Sequence, residues 1–352
     1  MEQIGVSPKS YDAQFPSFAC PTPIGEYTIN EERKIEIGRA KARYLYSRLI
    51  DEKGLRLDLS DGFATFQPKD SDQKLNALLA WICTQSPSGG RLKQCLHETD
   101  FVCWRGLLTK ISATPFSQND DWSFIARKAK GVIFLLEQET EAQALRKAKM
   151  SPRDHLMTYW GFKFEQYTST RDIDGVPSTS EPVTQNEEFG VVVKTKLSTP
   201  NGPIRLVYSG EVDCIDENGD LVELKTQRQA LEGGFWRQKS MKWWLQSFLL
   251  GIKQIVVGFR DDEGYVHRIQ VSPVVVNDLP RKGQWQGNIC FNFLATVLGK
   301  VKTLLENENS SEPSCTITYD PTKRSVTFEK NLVEDFFNTD FRHHFSLEPP
   351  PP

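Results

Sequence analysis

A polar hairpin over residues 208–226 is the feature that most restricts how this chain can fold. Apolar and polar residues alternate on both sides of Asn218-Gly219, a pattern that predicts two antiparallel strands joined by a tight turn. A two-residue turn would place Asp213 and Glu223 on opposite faces. A three-residue loop, residues 217–219, with the glycine in the left-handed conformation would place the two acids opposite each other. We expect the three-residue loop.

The expected register brings four polar side chains to one face of this hairpin. Because side chains alternate with a period of two, Glu211 would lie opposite Lys225, beside the pair of Asp213 and Glu223. Opposed β-carbons are roughly 4.5 to 5.5 Å apart, a span that one divalent ion can bridge. Three carboxylates this close repel one another, and Mg²⁺ or Mn²⁺ would relieve the repulsion. The alternative is an exposed hairpin with cross-strand ion pairs and no metal.

Hydrophobic periodicity indicates how the rest of the chain is organised. We expect the first thirty residues to be an irregular arm and residues 168–187 to be a surface loop. Helices are predicted over residues 30–52, 73–86, 137–150, 235–251 and finally 288–306. Strands are predicted over residues 189–197, 204–215, 220–226, 254–260 and 265–272, with a short pair at 315–329. This order predicts one α/β domain over residues 1–347, with mixed central sheets flanked by helices, and a proline-rich tail at 348–352.

Composition excludes several classes of protein. No apolar run approaches the roughly 18 to 20 residues that span a bilayer. The first residues lack the basic start and apolar core of a signal peptide, so we expect an intracellular protein. Seven scattered cysteines contain no CxxC pair, and the five histidines have no HExxH spacing. The net charge of −3 argues against a protein that coats nucleic acid, but not against a narrow site for one strand end.

The hairpin and the helix after it suggest a nuclease. The pattern E-x-D, followed about ten residues later by E-x-K, resembles the metal-dependent core of the PD-(D/E)XK nucleases. In the following helix, Lys239, Lys242 and Gln246 are spaced three and four residues apart and share one face. The opposite side should be core, and it carries Trp244, Leu245, Phe248 and Leu249. A solvated face is the alternative for the two lysines.

Six motifs in order resemble the decapping exoribonuclease family, called DXO in animals, and its fungal relatives. They are Trp104-Arg105-Gly106, Gly161-Phe162-Lys163-Phe164-Glu165, Gly210-Glu211-Val212-Asp213, Glu223-Leu224-Lys225, Lys242-Trp243-Trp244-Leu245-Gln246-Ser247 and Gly258-Phe259-Arg260-Asp261. One departure is Phe162, where the family commonly has Tyr. Taken alone, Arg105 could form a half-buried ion pair, Glu165 could be a solvent-facing acid on an aromatic strand, and Arg260 could end an interior strand.

The resemblance implies a mixed-sheet fold with a deep active-site pocket. It implies that Glu165, Asp213 and Glu223 bind one or two divalent ions, Mg²⁺ or Mn²⁺, with the main-chain carbonyl of Leu224. It also implies that Glu211 acts largely through water. Lys225 and Gln246 would lie near the scissile phosphate, so the catalytic candidates are Lys225, Gln246 and Glu211. The substrate-binding candidates are Arg105, Lys239, Lys242 and Gln246.

Three functions remain open at this stage. The first, implied by the resemblance, is an RNA 5′-end hydrolase that removes incomplete or NAD caps, hydrolyses 5′ triphosphates or degrades RNA from 5′ to 3′. The second is a PD-(D/E)XK nuclease that acts on DNA. The third is a catalytically weak subunit that binds a 5′-to-3′ exoribonuclease. The intact acids favour an enzyme, and the expected partner is an RNA 5′ end. The expected location is intracellular, with the nucleus favoured over the cytoplasm.

Overall fold

The computed structural model describes residues 2–69, 74–117, 119–271, 276–306 and 310–347. Its strands are β1 (Glu2–Gly5), β2 (Thr22–Ile29), β3 (Ile35–Ile37), β4 (Tyr44–Leu45), β5 (Leu57–Asp58), β6 (Phe101–Trp104), β7 (Trp122–Ala129), β8 (Val132–Gln138), β9 (Ser169–Thr170), β10 (Glu188–Leu197), β11 (Ile204–Glu211), β12 (Cys214–Ile215), β13 (Leu221–Arg228), β14 (Gln254–Arg260), β15 (Tyr265–Val271), β16 (Ser314–Asp320) and β17 (Ser325–Lys330). Its α-helices are α1 (Asn76–Cys83), α2 (Leu92–Cys95), α3 (Arg105–Ala113), α4 (Glu141–Ala148), α5 (Pro152–Thr168), α6 (Lys239–Leu250), α7 (Leu279–Lys282), α8 (Gly287–Glu306) and α9 (Thr339–His344).

Two mixed sheets and their helices form alternating layers. The larger sheet has the strand order β1-β17-β16-β7-β8-β6-β11-β10-β2-β3, and the smaller one has the order β5-β15-β14-β13-β12-β4-β9. Helices α3, α6 and α8 fill the space between the sheets. Helices α1 and α9 cover the outer face of the larger sheet, and α5 covers the outer face of the smaller one. The predicted α/β class with mixed central sheets is confirmed.

Strand β14 shows why the smaller sheet can lie between two helical layers. Ile255 and Val257 pack into the central layer, whereas Val256 packs on the α5 side. Successive side chains of a strand point to opposite faces, so an uninterrupted apolar run suits a strand covered on both sides. In the part of the chain that the structure describes, no helix is long and apolar enough to cross a membrane.

The amino-terminal expectations were wrong. The irregular arm contains β1, which pairs with β17, and β2, which pairs with β10. In place of a helix over residues 30–52, β3 extends the larger sheet beside β2, and β4 joins the smaller sheet. Gly38 has φ of 105°, which interrupts any helix there. Pairing with distant strands therefore overrides the local helical pattern.

The strand expected over residues 204–215 is divided between the two sheets. Strand β11 ends at Glu211 in the larger sheet, and β12 pairs with β13 in the smaller one. Between them, the Val212 N–H still donates to the carbonyl of Phe189 in β10. This crossing point joins the two sheets at the acidic residues of the predicted site.

The other predicted helices follow the expectations closely, whereas α3 and α5 were not predicted. The helices predicted at 73–86, 137–150, 235–251 and 288–306 correspond to α1, α4, α6 and α8. The last of these is not the final helix, because Asn338 caps the short α9 beyond the β16–β17 pair. The predicted tail at 348–352 lies outside the described residues.

Candidate active site

The hairpin has the predicted three-residue loop. Asp216 and Asp220 close it through a hydrogen bond from the Asp216 N–H to the Asp220 carbonyl at 2.9 Å. Gly219 has φ of 81°, the left-handed conformation that a bulged loop requires. Cys214 pairs with Val222, so the next positions outward, Asp213 and Glu223, oppose each other as expected.

Asp213 and Glu223 are held by different partners. The Leu224 N–H donates to Asp213 Oδ2 at 2.7 Å, and the Lys225 ammonium donates to Glu223 Oε1. Glu223 is only 2% exposed, and its Oε2 has no hydrogen-bond partner in the described part of the chain. A buried oxygen of this kind is available to a ligand. The carbonyl of Leu224 stays a predicted ligand.

Glu211 reaches the site from the other sheet. It pairs with Gly190 across β10 and β11, and not with Lys225 as the continuous hairpin predicted. Its side chain is exposed, but to a cavity of about 310 Å³ that Glu165 and Asp213 also line. Restricted hydration, followed by the charges of Glu188 and Asp213, raises the pKa of Glu211 to about 8.

Glu165 comes from helix α5 and not from an aromatic strand. Ser151 and Asp154 form a reciprocal capping box at the start of α5, with Pro152 in the first turn. Phe164 packs against the backbone of Gly258, where a β-carbon would lie 2.4 Å from the aromatic ring. This close contact places the next residue, Glu165, at the wall of the cavity.

The acids share one electrostatic environment. Burial, together with Asp213 and Glu211, raises the pKa of Glu165 well above its ordinary value. Burial and Glu223 raise the pKa of Asp213 to about 6. Burial also opposes ionisation of Glu223, but Lys225 and Arg105 outweigh it and lower the Glu223 pKa. The cavity therefore concentrates carboxyl groups that favour a proton or another cation.

The donor set suits a hard divalent ion, although the side chains do not form a closed ligand shell. Among the described residues, no three His, Cys, Asp or Glu groups have the geometry of a metal site. The Lys225 ammonium contacts one oxygen of Glu223, and the Leu224 N–H contacts one oxygen of Asp213. The unpartnered Glu223 Oε2 and the raised carboxyl pKa values at Glu165 and Asp213 are the observations that fit such an ion.

Arg105 approaches the acids from the start of α3. Gly210 permits this approach, because a β-carbon there would lie 3.1 Å from the Arg105 side chain and 2.8 Å from Leu250. The guanidinium helps to lower the pKa of Glu223, and its Nη1 has no hydrogen-bond partner among the described residues. The alternative of a half-buried ion pair is wrong, because no Asp or Glu oxygen in the described chain pairs with Arg105.

The predicted face of α6 divides between two places. Lys242 and Gln246 line a second cavity of about 380 Å³ beside Arg105, and Lys242 pairs with Asp120 at 2.9 Å. Lys239 instead lies at the carboxyl end of β13, where its Nζ donates to the Thr226 carbonyl at 3.3 Å. The aromatic residues of the opposite side are core, as expected.

The sequence interpretation missed basic residues at the cavity wall. Lys41, Arg43, Lys69 and Arg171 line the cavity that contains Glu165 and Glu211. Two of them, Lys41 and Arg43, lie within residues 30–52, which were wrongly predicted to form a helix. A period-two pattern at Ile35 and Ile37 was the available signal for a strand followed by a basic turn.

Comparison with known proteins points to the same family as the six motifs do. A family model described as a RAI1-like PD-(D/E)XK nuclease matches residues 19–342. The "Decapping nuclease dom-3" of Caenorhabditis elegans is 42% identical over 303 residues, which cover 84% of this chain and 76% of that protein. S. pombe Rai1, solved in complex with 3′-FADP, has a TM-score of 0.73 at 26% identity, over 94% of this chain and 99% of that one.

Candida albicans Rai1, solved with pU5-Mn²⁺, shares the fold with a TM-score of 0.79 at 19% identity, over 99% of this chain and 100% of that one. The family model and the dom-3 relative both extend over most of the chain, beyond the segment that holds the motifs. The chain therefore belongs to the RAI1-like PD-(D/E)XK nuclease family.

Proposed function

We propose that this protein is a metal-dependent hydrolase of RNA 5′ ends. Its substrates would be incompletely capped, NAD-capped or 5′-triphosphorylated RNA, and it would also degrade RNA from 5′ to 3′. The observation that carries the proposal is the shared cavity of Glu165, Glu211 and Asp213 beside the buried Glu223–Lys225 pair. The name of the dom-3 relative, a decapping nuclease, supports decapping, and the 3′-FADP bound to S. pombe Rai1 supports a site that accepts a dinucleotide cap.

Glu165, Asp213 and Glu223 would hold the divalent ion, with the Leu224 carbonyl as a main-chain ligand and Glu211 acting through water. A bound Mg²⁺ or Mn²⁺ supplies Lewis acidity, which polarises a phosphoryl oxygen and lowers the pKa of a water molecule. The manganese in the Candida albicans Rai1 structure supports a divalent ion of this type.

Lys225 would stabilise negative charge on the phosphoryl oxygens. Burial disfavours its ammonium, but Glu223 and Asp213 outweigh that effect and raise the Lys225 pKa, so the group stays charged at neutral pH. A fixed cation in an enclosed site stabilises developing charge strongly. Arg105 and Gln246, which line the neighbouring cavity, would orient the 5′ group.

The test uses RNAs that carry a 5′ triphosphate, an unmethylated cap or an NAD cap, incubated with Mn²⁺ or Mg²⁺. We expect released 5′ products from the wild type. The double variant Asp213→Asn/Glu223→Gln should lose at least about 100-fold in rate, because several kcal/mol of metal stabilisation disappear. The control Glu52→Gln/Glu217→Gln removes the same charge from two exposed positions and should retain full activity.

An inactive wild type on all three RNAs would contradict the proposal, and so would a fully active double variant. Hydrolysis of single-stranded DNA instead of RNA would favour the DNA nuclease alternative. We also propose a nuclear location and a 5′-to-3′ exoribonuclease partner. Fractionation and co-purification from the native source test these two points separately.

A further inference from the structure

We propose that Lys239, Arg260 and Arg153 form a backbone-binding track for single-stranded RNA, beside the active site and on the 3′ side of the scissile bond. This inference rests on the proposed function and adds to it the path that the RNA takes away from the metal-binding acids.

The track begins next to the catalytic lysine. Lys225 and Thr226 are consecutive in β13, and Lys239 Nζ donates to the Thr226 carbonyl at 3.3 Å and to Gln227 Oε1 at 2.8 Å. Both acceptors are neutral. Arg260 ends the neighbouring strand β14, opposite Arg228 in the β13–β14 register. The cations are therefore gathered at the carboxyl ends of two adjacent strands.

Trp160 holds the outer part of the track in place. The Arg260 guanidinium lies 4.5 Å from the centroid of the Trp160 ring, and the Arg153 guanidinium lies 5.7 Å from it. Trp160 is buried, and its indole N–H donates to Ser60 Oγ at 3.0 Å. Two guanidiniums on one fixed ring are pre-oriented and lose little freedom when they bind a ligand.

These cations lack carboxylate partners. In the described residues, no Asp or Glu carboxylate oxygen lies within 4 Å of the charged nitrogens of Lys239, Arg260 or Arg153. The two guanidiniums donate only to main-chain carbonyls there, Arg260 Nη1 to Asp261 at 2.9 Å and Arg153 Nη2 to Asp262, and Arg260 Nε has no hydrogen-bond partner among these residues. The two nearby acids are engaged elsewhere: Asp262 pairs with Arg228 at 2.6 Å, and Asp261 bonds to His267 at 2.8 Å. Restricted hydration, followed by the charges of Arg260 and Lys225, lowers the pKa of Lys239 to about 8.

On the opposite side of the active site, the cations do have carboxylate partners. There, Lys41 and Arg171 pair with Glu187, and Lys69 pairs with Glu188 at 2.6 Å. Paired cations gain little from a phosphate, because the existing partner must first be displaced. Unpaired, clustered cations gain the full attraction and also lose their mutual repulsion. The phosphodiester backbone should therefore leave the site past Lys239.

The 5′-to-3′ direction of the RNA along the track follows from the different lengths of the cap and the RNA chain. A cap contributes one nucleoside and a few phosphates, and the cavity beside Arg105 has about 380 Å³ for such a group. Arg153 lies at the surface, at the outer end of the track, where the RNA chain and not the cap would extend. In an enzyme that acts on the 5′ end, the part of the strand that extends into solvent is its 3′ portion.

The test compares binding of two 5′-monophosphorylated, 3′-labelled RNAs, a dinucleotide and a strand of about ten nucleotides, by fluorescence anisotropy in Ca²⁺. For Lys239→Gln/Arg260→Gln we expect roughly tenfold weaker binding of the long strand. The slope of log K against log salt should be smaller by about 1.4, since each lost single-strand phosphate contact contributes about 0.7. Binding of the dinucleotide should stay within about twofold of the wild type.

Arg153→Gln, an exposed substitution, provides a second variant and should weaken only the long strand, with a slope change of about 0.7. The control Lys253→Gln/Arg281→Gln removes the same charges from exposed pairs with Asp220 and Asp278 and should change neither affinity. An equal loss of affinity for both RNA lengths, or no loss of affinity for either, would overturn the proposed track. Hydrolysis is measured separately. A wild type that binds the long strand but cleaves no 5′ end would reject the proposed function, and the binding data alone would then decide whether the track exists.

Discussion

At the scale of single residues, the site is defined by carboxyl groups whose ordinary ionisation is disturbed. Asp213 accepts one backbone hydrogen bond, yet burial and Glu223 still raise its pKa to about 6. Glu211 titrates higher, near 8, because of restricted hydration and the charge of Glu188. Both groups hold protons in a pH range where free carboxylic acids are ionised. At the proposed metal site, protons and metal ions would therefore compete for the same oxygens.

The first prediction concerns that competition. The apparent affinity for Mn²⁺ should rise as the pH increases from about 6 to about 8, because fewer protons have to be displaced. The same raised pKa values predict how the stability of the metal-free protein depends on pH. The folded state binds these protons more tightly than the unfolded state does, and this stabilisation is lost as pH rises through the raised pKa values. The metal-free protein should therefore melt at a lower temperature at pH 8 than at pH 6. Calorimetric titration in buffers of different ionisation enthalpy measures the released protons.

In the same experiment, Glu211→Gln should release fewer protons between pH 7 and 8. An Mn²⁺ affinity that does not change with pH, with no proton release in any buffer, would contradict this account of the site.

At the scale of elements, the site depends on how helix α5 lies on the smaller sheet. The helix starts at a capping box and packs Phe164 onto β14, at a position where only glycine leaves room for the ring. The following residue, Glu165, thereby faces acids that come from β11 and the hairpin. If Glu165 is a metal ligand as proposed, helix position and metal affinity should be coupled through this one packing contact.

The second prediction tests this coupling. Gly258→Ala would put a β-carbon 2.4 Å from the Phe164 ring, so the ring and its helix must shift. We expect a loss of about 1 to 3 kcal/mol in the free energy of unfolding. We also expect weaker Mn²⁺ binding, because Glu165 moves with the helix. Urea denaturation and metal titration measure the two effects.

Gly161→Ala is the matched control in the same helix. Its β-carbon would have no atom within 4 Å beyond its own neighbourhood, and alanine favours a helix over glycine by roughly 0.5 to 1 kcal/mol. This variant should be more stable than the wild type and should bind Mn²⁺ normally. If Gly258→Ala binds the metal as tightly as Gly161→Ala does, the packing contact does not position Glu165.

At the scale of the whole molecule, a buried ionic network ties the larger sheet to the carboxyl-terminal segment. Arg127 of β7 pairs with Glu312 at 3.0 Å and donates to the Val333 carbonyl at 3.0 Å. Arg342 of α9 shares Glu312 and also pairs with Asp335 at 2.7 Å. The network lies in a layer separate from the acids of the site. Stability and catalysis should therefore respond independently to changes here.

The third prediction is that Arg127→Met lowers the free energy of unfolding by about 1 to 3 kcal/mol. The buried Val333 carbonyl would lose its charged donor, whereas Glu312 and Asp335 would keep Arg342 as a partner. The folded variant should keep the wild-type Mn²⁺ affinity. The next residue, Lys128, points to the other side of the strand, so Lys128→Met should change stability by no more than about 0.5 kcal/mol. Coincident losses of stability and metal affinity in Arg127→Met would show that the layers are not independent.

Several features could be predicted from the sequence because neighbouring residues encode them. The alternation around Asn218-Gly219 and the left-handed glycine define the loop, and this alone places Asp213 opposite Glu223. Helical spacing likewise located α1 and α6. The resemblance of six motifs to the decapping exoribonuclease family is confirmed by the family match over residues 19–342.

Other features could not be predicted locally. The charged pattern around Ile35 and Ile37 looks helical until β2 pairs with it, and the free energy of that pairing comes from residues far away in the chain. The stacking of Arg260 on Trp160 joins positions a hundred residues apart. No spacing rule connects such positions, since their contact depends on how a helix packs on a sheet.

The sequence by itself determined the turn, the opposed acids of the hairpin and the kind of ligand that their oxygens suit. Only the tertiary structure decided that the chain crosses between sheets after Glu211 and that α5 adds Glu165 to the same cavity. It also decided which cations keep a carboxylate partner and which remain available to phosphate. The physical reason is range: turn geometry and strand alternation act over a few residues, whereas burial, charge repulsion and pairing depend on everything that folding brings within a few ångströms.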